Sequence, residues 1–329
     1  MEKRGSEALP LLVGKKAIDF LIENNRGGKA DLIFTGGEPL LEWEKIKTLI
    51  LYAQNLAKKA KIDWQTIGLA TNGLLLNQKI LAFCRNKNIE VAVSADGFEN
   101  KRGLRKGGNS FLLLEKKFPL LLKYKDIVRI KLTIHPEYAN KLFYNFKNFY
   151  KIGFDKIDIQ PARGISWLAK QRQTYWRNLS QCLRVASRAR QDGKKIDMKY
   201  RRDISAQRRL PKYCPKVRAE FLVDIDGRVY PCSFFLSLPP AQKKKYAIGH
   251  ISRGVNFKLA ENFKNHLVCE ARNSLPLIKK KCPACRISSA CFKICLGFDI
   301  QKKQFNQALA EEAWQLLRGI ERLYLRSRL

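Results

Sequence analysis

Seven of the chain's nine cysteines fall after residue 200, at positions 214, 232, 269, 282, 285, 291 and 295. Four of them form the run Cys282-x2-Cys285-x5-Cys291-x3-Cys295, and Cys214-x12-Gly227-x4-Cys232 stands upstream. Four thiols within fourteen residues offer soft thiolate ligands at close quarters, a donor set that suits iron–sulfur clusters or a four-cysteine zinc site. The crowding is that of cluster-binding runs, whose last Cys can serve a neighbouring cluster, and it favours iron and sulfide over zinc. In a reducing compartment such clustered thiols read as metal ligands rather than disulfides. Cys84 and Cys182 each stand alone in a helical stretch and read as small core residues.

A second set of candidates lies in the first third of the chain. Gly36-Gly37-Glu38-Pro39 pairs two glycines, which let a ligand approach the backbone closely, with a carboxylate able to accept hydrogen bonds from an ammonium group; its bland alternative is a strand-to-helix turn. Thr71-Asn72-Gly73 and Ser94-Ala95-Asp96-Gly97 add an amide, a hydroxyl and a carboxylate, or are ordinary turn chemistry. Arg105 presents a guanidinium fork that fits a carboxylate, or is a solvated surface arginine. His135, His250 and His266 have no constellation around them, and nothing resembles a hydrolase triad or a phosphate loop.

The elements that must carry these residues alternate. Helical periodicity is expected over Lys16–Asn24, over Leu40–Lys58 (Ile46, Leu49, Ile50, Ala53 and Leu56 on one face) and near Leu142–Ile152. Strands are expected at Asp31–Thr35, buried, and at Ile67–Thr71, Glu90–Ser94, Val128–Ile134 and Lys156–Gln160. This βαβα rhythm predicts an α/β fold with a parallel sheet or partial barrel, in which ligand-binding residues collect at the C-terminal strand ends. The GGE, TNG and SADG sequences stand at such ends. Ser166–Gln191 reads as one long helix. A small loop-rich region follows, with a hairpin over Phe221–Tyr230 turning on Asp226-Gly227. Phe305–Leu325 reads as a C-terminal docking helix.

The two sets of motifs together resemble the radical S-adenosylmethionine (SAM) enzymes that carry a C-terminal SPASM domain for auxiliary iron–sulfur clusters, over about residues 16–300. The tail matches the C-x12-G-x4-C and C-x2-C-x5-C-x3-C pattern, and Phe34–Leu41, Thr71–Gly73 and Ser94–Gly97 match successive strand ends of the partial barrel. The resemblance implies a radical SAM partial (β/α) barrel over residues 1–193, an iron–sulfur domain over 194–302 and a helix over 303–329. It implies that Gly36, Gly37, Glu38 and Pro39 hold the methionine amino group of SAM. Asn72, Ser94, Asp96 and Arg105 would complete the cofactor site, with Ser94 and Asp96 on the ribose hydroxyls or methionine carboxylate and Arg105 on the carboxylate. Thr133-Ile134 and Gln160-Pro161 would close strands near the adenine. Cys214, Cys232 and Cys295 would serve one auxiliary 4Fe-4S cluster and Cys282, Cys285 and Cys291 a second, Cys269 filling one vacancy and Asp299 or solvent the other. A complete relative would use a 5′-deoxyadenosyl radical to modify a peptide or protein, with an electron donor as further partner.

Two departures qualify the match. The family's C-x3-C-x2-C loop, which binds the catalytic cluster, has no counterpart, because no Cys precedes Cys84. The expectation is either an N-terminally incomplete chain, inactive as it stands, or a protein without the catalytic cluster. Ser233 follows the second cysteine of the G-x4-C element where sulfatase-maturing relatives often have Asp, which puts sulfatase maturation in doubt. The alternatives are a non-catalytic iron–sulfur or zinc protein that binds a partner, and a basic RNA-binding zinc protein. The 329 residues carry 64 Lys plus Arg against 29 Asp plus Glu, a formal charge of +35. This surplus is dispersed rather than gathered into a face, so an acidic peptide substrate fits better than nucleic acid. Apolar runs are too short for a membrane span or a secretory signal, which points to the cytoplasm.

Overall fold

The computed structural model describes residues 8–24, 28–95, 97–98, 110–162, 165–198, 221–230, 243–244, 246–256 and 258–259, with the backbone of 298–299 and 304–305. The chain divides into two units, Met1–Ile67 with Pro211–Glu270, and Gly68–Leu210 with Ala271–Leu329.

In the first unit, α1 (Leu11–Glu23) packs on α2 (Trp43–Ala60). Its buried Gly14, Ile18 and Ile22 recur every fourth residue, and Gly14 lets the helices close, since a Cβ there would stand 2.7 Å from Leu49 Cδ1. Ile18, Leu49, Ala53 and Ala57 form the core between them. β1 (Lys29–Phe34) is not the buried strand expected: it is covered on one face only, with Lys29, Asp31 and Ile33 exposed while Ala30, Leu32 and Phe34 join the core of this unit. The predicted hairpin forms, with β6 (Leu222–Val223) antiparallel to β7 (Arg228–Tyr230) around Gly227 at φ 81°. Two strands escaped the sequence reading, β8 (Gly249–His250) and β9 (Gly254–Val255), which extend the hairpin to four strands. His250 has a structural use there, its ring bonding Ser252 Oγ at 2.7 Å and the Asp226 carbonyl at 2.9 Å.

Strand β2 (Asp63–Thr71) is shared by the two units, and the large sheet runs in the order β1-β2-β3-β4-β5, with β3 over Ile89–Ala95, β4 over Val128–Ile134 and β5 over Ile157–Pro161. β3, β4 and β5 are parallel, with Val93 opposite Ile130 and Leu132 opposite Ile159. Burial alternates along β3 and β5, and along β4 from Ile130 onward. Val91, Val93, Ile130, Leu132, Ile157 and Ile159 are buried, while Ser94, Lys131, Thr133 and Gln160 stand half-buried on the other face. Helices α3 (Gln78–Asn86), α4 (Ser110–Glu115), α5 (Phe118–Leu122), α6 (Leu142–Ile152) and α7 (Ala169–Gln191) complete the second unit. Helix α7 begins later than Ser166 because Gln171 Oε1 accepts the Leu168 N–H at 2.9 Å and so caps the helix there.

The backbone of β10 (Phe298–Asp299) pairs with that of β11 (Gln304–Phe305), so Phe305 belongs to a strand and the expected docking helix cannot start at that residue. The rest of that helix, Arg105, Asp96 and the seven clustered cysteines lie outside the described residues.

Candidate functional site

Three strand ends carry the described candidates. After β1 the chain bends at Gly36 and Gly37, both exposed, with Gly36 at φ 145° in the region open to glycine. A Cβ built on either would meet nothing within 4 Å. Glu38, half-buried, caps the short 3-10 helix Pro39–Glu42 that follows: its Oε1 accepts the Leu40 N–H at 3.1 Å. Leu40 anchors the turn in the interior. The turn therefore has a fixed far side and an open near side, with a carboxylate at the boundary.

In the second unit the end of β2 is shaped by its own polar side chains. After β2, Thr71 Oγ1 accepts the Gly73 N–H at 3.0 Å and Asn72 Oδ1 accepts the Leu74 N–H at 2.9 Å. Gly73, at φ 81°, leaves no room for a Cβ, which would stand 2.9 Å from Val93 and from Leu114. Asn72 thus uses its side-chain carbonyl oxygen to shape the turn.

Ser94 sits half-buried one residue before the end of β3, opposite Lys131 on β4. Thr133 stands opposite Gln160 and Ile134 opposite Pro161, so the last residues of β4 and β5 are neighbours, as their strand-end positions required. Beyond β3, Gly97 is buried at φ 101° and Phe98 packs among Phe111, Phe118 and Phe149, at ring separations of 5.1, 6.2 and 4.8 Å.

One residue against this turn was not anticipated. Asn145 lies on the face of α6 that is otherwise Leu142, Phe146 and Phe149, and its Oδ1 accepts the Phe98 N–H at 2.9 Å. The available signal was a polar residue at a core position of an amphipathic helix.

The opposite, N-terminal end of these strands has a different character. Arg129, 2% exposed, bonds Glu90 on β3 at 3.3 Å, Asp158 on β5 at 2.9 Å and Asp197 at 2.6 Å. Burial works against its charge, but the three carboxylates outweigh it and hold the guanidinium protonated. A cavity of about 1010 Å³ opens at this end, lined by Lys125, Asp126, Asp155, Lys156, Lys194 and Lys195 among others. It lies away from the strand ends that carry the candidate residues, and its charges are partly consumed: Lys125 pairs with Asp155 at 3.6 Å and Lys156 bonds the Asp126 carbonyl.

Both described cysteines are core residues, as expected. Cys84 on α3 and Cys182 on α7 are fully buried, and burial pushes the Cys84 thiol up to about 12 and that of Cys182 well above its usual range. Neither is a thiolate ligand in waiting. Among the described residues no group of three or more His, Cys, Asp and Glu side chains is placed to hold a metal ion, and no described helix is long and apolar enough to cross a membrane.

The turn at Gly36, Gly37 and Glu38 has the chemistry that the amino group of S-adenosylmethionine would need. An exposed glycine pair with open space before it, beside a carboxylate, matches a ligand that brings an ammonium group close to backbone.

The architecture is that of the radical SAM fold, a partial parallel (β/α) barrel with surrounding helices. The solved structure of native anSMEcpe with bound AdoMet and Cp18Cys peptide has a TM-score of 0.73 at 18% identity, covering 98% of this chain and 92% of that one. No protein-family model matches the chain. An uncharacterized protein of Methanocaldococcus jannaschii is 30% identical over 126 residues, a stretch spanning 38% of this chain and 42% of that protein. A cysteine-type anaerobic sulfatase-maturating enzyme of Clostridium perfringens is 24% identical over 294 residues, covering 83% of this chain and 75% of the enzyme.

Proposed function

We propose that the chain is a radical SAM protein of the kind that modifies peptides or proteins, with S-adenosylmethionine at the C-terminal strand ends and auxiliary iron–sulfur clusters on its C-terminal cysteines. The observation that carries the reading is the turn at Gly36 and Gly37: it is open where a ligand would approach and anchored by Glu38 and Leu40 behind. The likeness of nearly the whole chain to a structure holding both AdoMet and a peptide supports it. Gly37 admits the ligand to backbone contact and Glu38 accepts from its ammonium, and the resemblance assigns Asn72 and Ser94 to the cofactor as polar partners. Asp96 and Arg105 are assigned to the same site on the resemblance alone. With a reduced catalytic cluster, S-adenosylmethionine supplies a hydrogen-abstracting radical. The substrate side is a peptide or protein, and Ser233 in place of Asp argues against a sulfatase.

The second reading, a partner-binding protein that keeps the fold without the reaction, is favoured by one observation. Cys84 on α3 and Cys182 on α7 are both fully buried in helix packing, so neither is presented as a ligand at a strand-end site. The test separates the two. Calorimetry with S-adenosylmethionine on the reconstituted 329-residue chain should show binding, and dithionite should yield no 5′-deoxyadenosine above a no-protein control. The same assay on a chain joined to a C-x3-C-x2-C segment should yield it; binding without cleavage in that chain would establish the second reading.

A further inference from the structure

The face that α6 turns to the core is Leu142, Asn145, Phe146 and Phe149, and Asn145 is 2% exposed. A side-chain amide in an apolar interior is costly unless its polar atoms are bonded. Here the bond runs across to the turn after β3, where the Phe98 N–H donates to Asn145 Oδ1 at 2.9 Å. The contact is close enough to dictate the neighbouring residue as well. Gly97 has φ 101°, and a Cβ on it would fall inside the Asn145 amide. Phe98 is meanwhile held by the rings of Phe111 and Phe149. Gly97 and Phe98, just beyond β3, are therefore pinned twice, by ring packing and by one buried amide on a helix some fifty residues further along the chain.

We infer that Asn145 is a positioning residue for the S-adenosylmethionine site: it fixes the backbone of Gly97-Phe98, and with it the end of β3 that presents Ser94. This rests on the cofactor reading proposed above. Apolar packing holds a ring in place but leaves a backbone free to twist about it, whereas a directional bond to the Phe98 N–H sets the peptide plane. A merely space-filling role would be served as well by Leu, which continues the stripe and has the helix propensity that Asn lacks.

The test uses the reconstituted 329-residue chain and two readouts, amide exchange at Phe98 and S-adenosylmethionine affinity by calorimetry. Asn145→Leu should speed Phe98 exchange and weaken affinity, each by about tenfold, with iron content unchanged. Asn145→Asp, which keeps an acceptor for the Phe98 N–H, should recover most of both. Gly97→Ala, which strains the turn at φ 101° and drives a Cβ into the Asn145 amide, should weaken affinity likewise and serves if Asn145→Leu does not fold. Unchanged exchange in Asn145→Leu overturns the tether. Faster exchange with unchanged affinity makes Asn145 structural only and overturns the inference. Faster exchange in a protein whose parent binds no S-adenosylmethionine overturns the cofactor reading, and the inference with it, while leaving the tether in place.

Discussion

At Gly37 the absence of a side chain serves no packing need, since a Cβ there would project into open space. Gly37→Val should therefore fold normally. If the turn takes the cofactor's amino group, this variant should lose at least about tenfold in S-adenosylmethionine affinity, because the added methyls occupy the approach path. Calorimetry checks the loss, and an unchanged iron content and melting temperature confine it to the site. Gly36 is a poorer probe, because at φ 145° any side chain adds backbone strain of its own. The glycine pair was readable in the sequence because its chemistry is local: two small residues and a carboxylate carry their meaning without neighbours. Asn145 was not, because its meaning depends on a turn 47 positions away in the chain.

Two elements of the fold are joined by charge or by proton in ways that perturbation can isolate. Arg129 binds the second residues of β3 and β5 and the segment after α7 from the second residue of β4. Arg129→Leu leaves three half-buried carboxylates without their shared cation. It should destabilise this unit by about 3 kcal/mol, the lower end for a broken buried pair because the carboxylates regain some hydration; chemical denaturation followed by amide exchange in β4 measures it. Between α1 and α2, the Tyr52 hydroxyl donates to Asp19 Oδ1 at 2.6 Å. That bond, with burial and the Asp19 charge, pushes the phenol from 10.0 up to about 12. The folded state thus favours the protonated phenol, so its stabilisation is complete below pH 10 and is lost as pH rises toward 12. Melting curves of Tyr52→Phe should lack the part of the alkaline decline that the parent shows across this window. Periodicity placed element boundaries in β4 and α6, which fall at their expected residues, but in the longer α2 and α7 it missed the starts, which lie three residues later, at Trp43 and Ala169. It failed where elements were short. β8 and β9 have two residues each, and α4 and α5, at six and five residues, are too brief to declare a 3.6-residue repeat.

For the molecule as a whole, the proposed pair of auxiliary clusters would be unequally ligated, since two fully cysteine-ligated cubanes need eight thiolates and seven cysteines follow residue 200. Anaerobically reconstituted protein should hold about eight irons with matching sulfide, and Cys269→Ala should lower that content if Cys269 fills a vacancy. About four irons would reduce the proposal to one cluster, and stoichiometric zinc without iron would replace it with a zinc domain. The α/β class was legible from the alternation of short apolar runs and amphipathic stretches, since each strand of a parallel sheet must return through a helix. The edge position of β1 was not, because a strand's sequence does not say how many neighbours it has. Arg129 clasps three strands at the end remote from Ser94, so the frame and the rim answer to different pressures. At the rim, a library randomised at Ser94, Thr133 and Gln160, which point away from the buried face of the sheet, should return mostly folded proteins, because the guanidinium keeps the strands in step from the other end. Randomising Glu90, Asp158 or Asp197 should return mostly failures, whatever the rim contains.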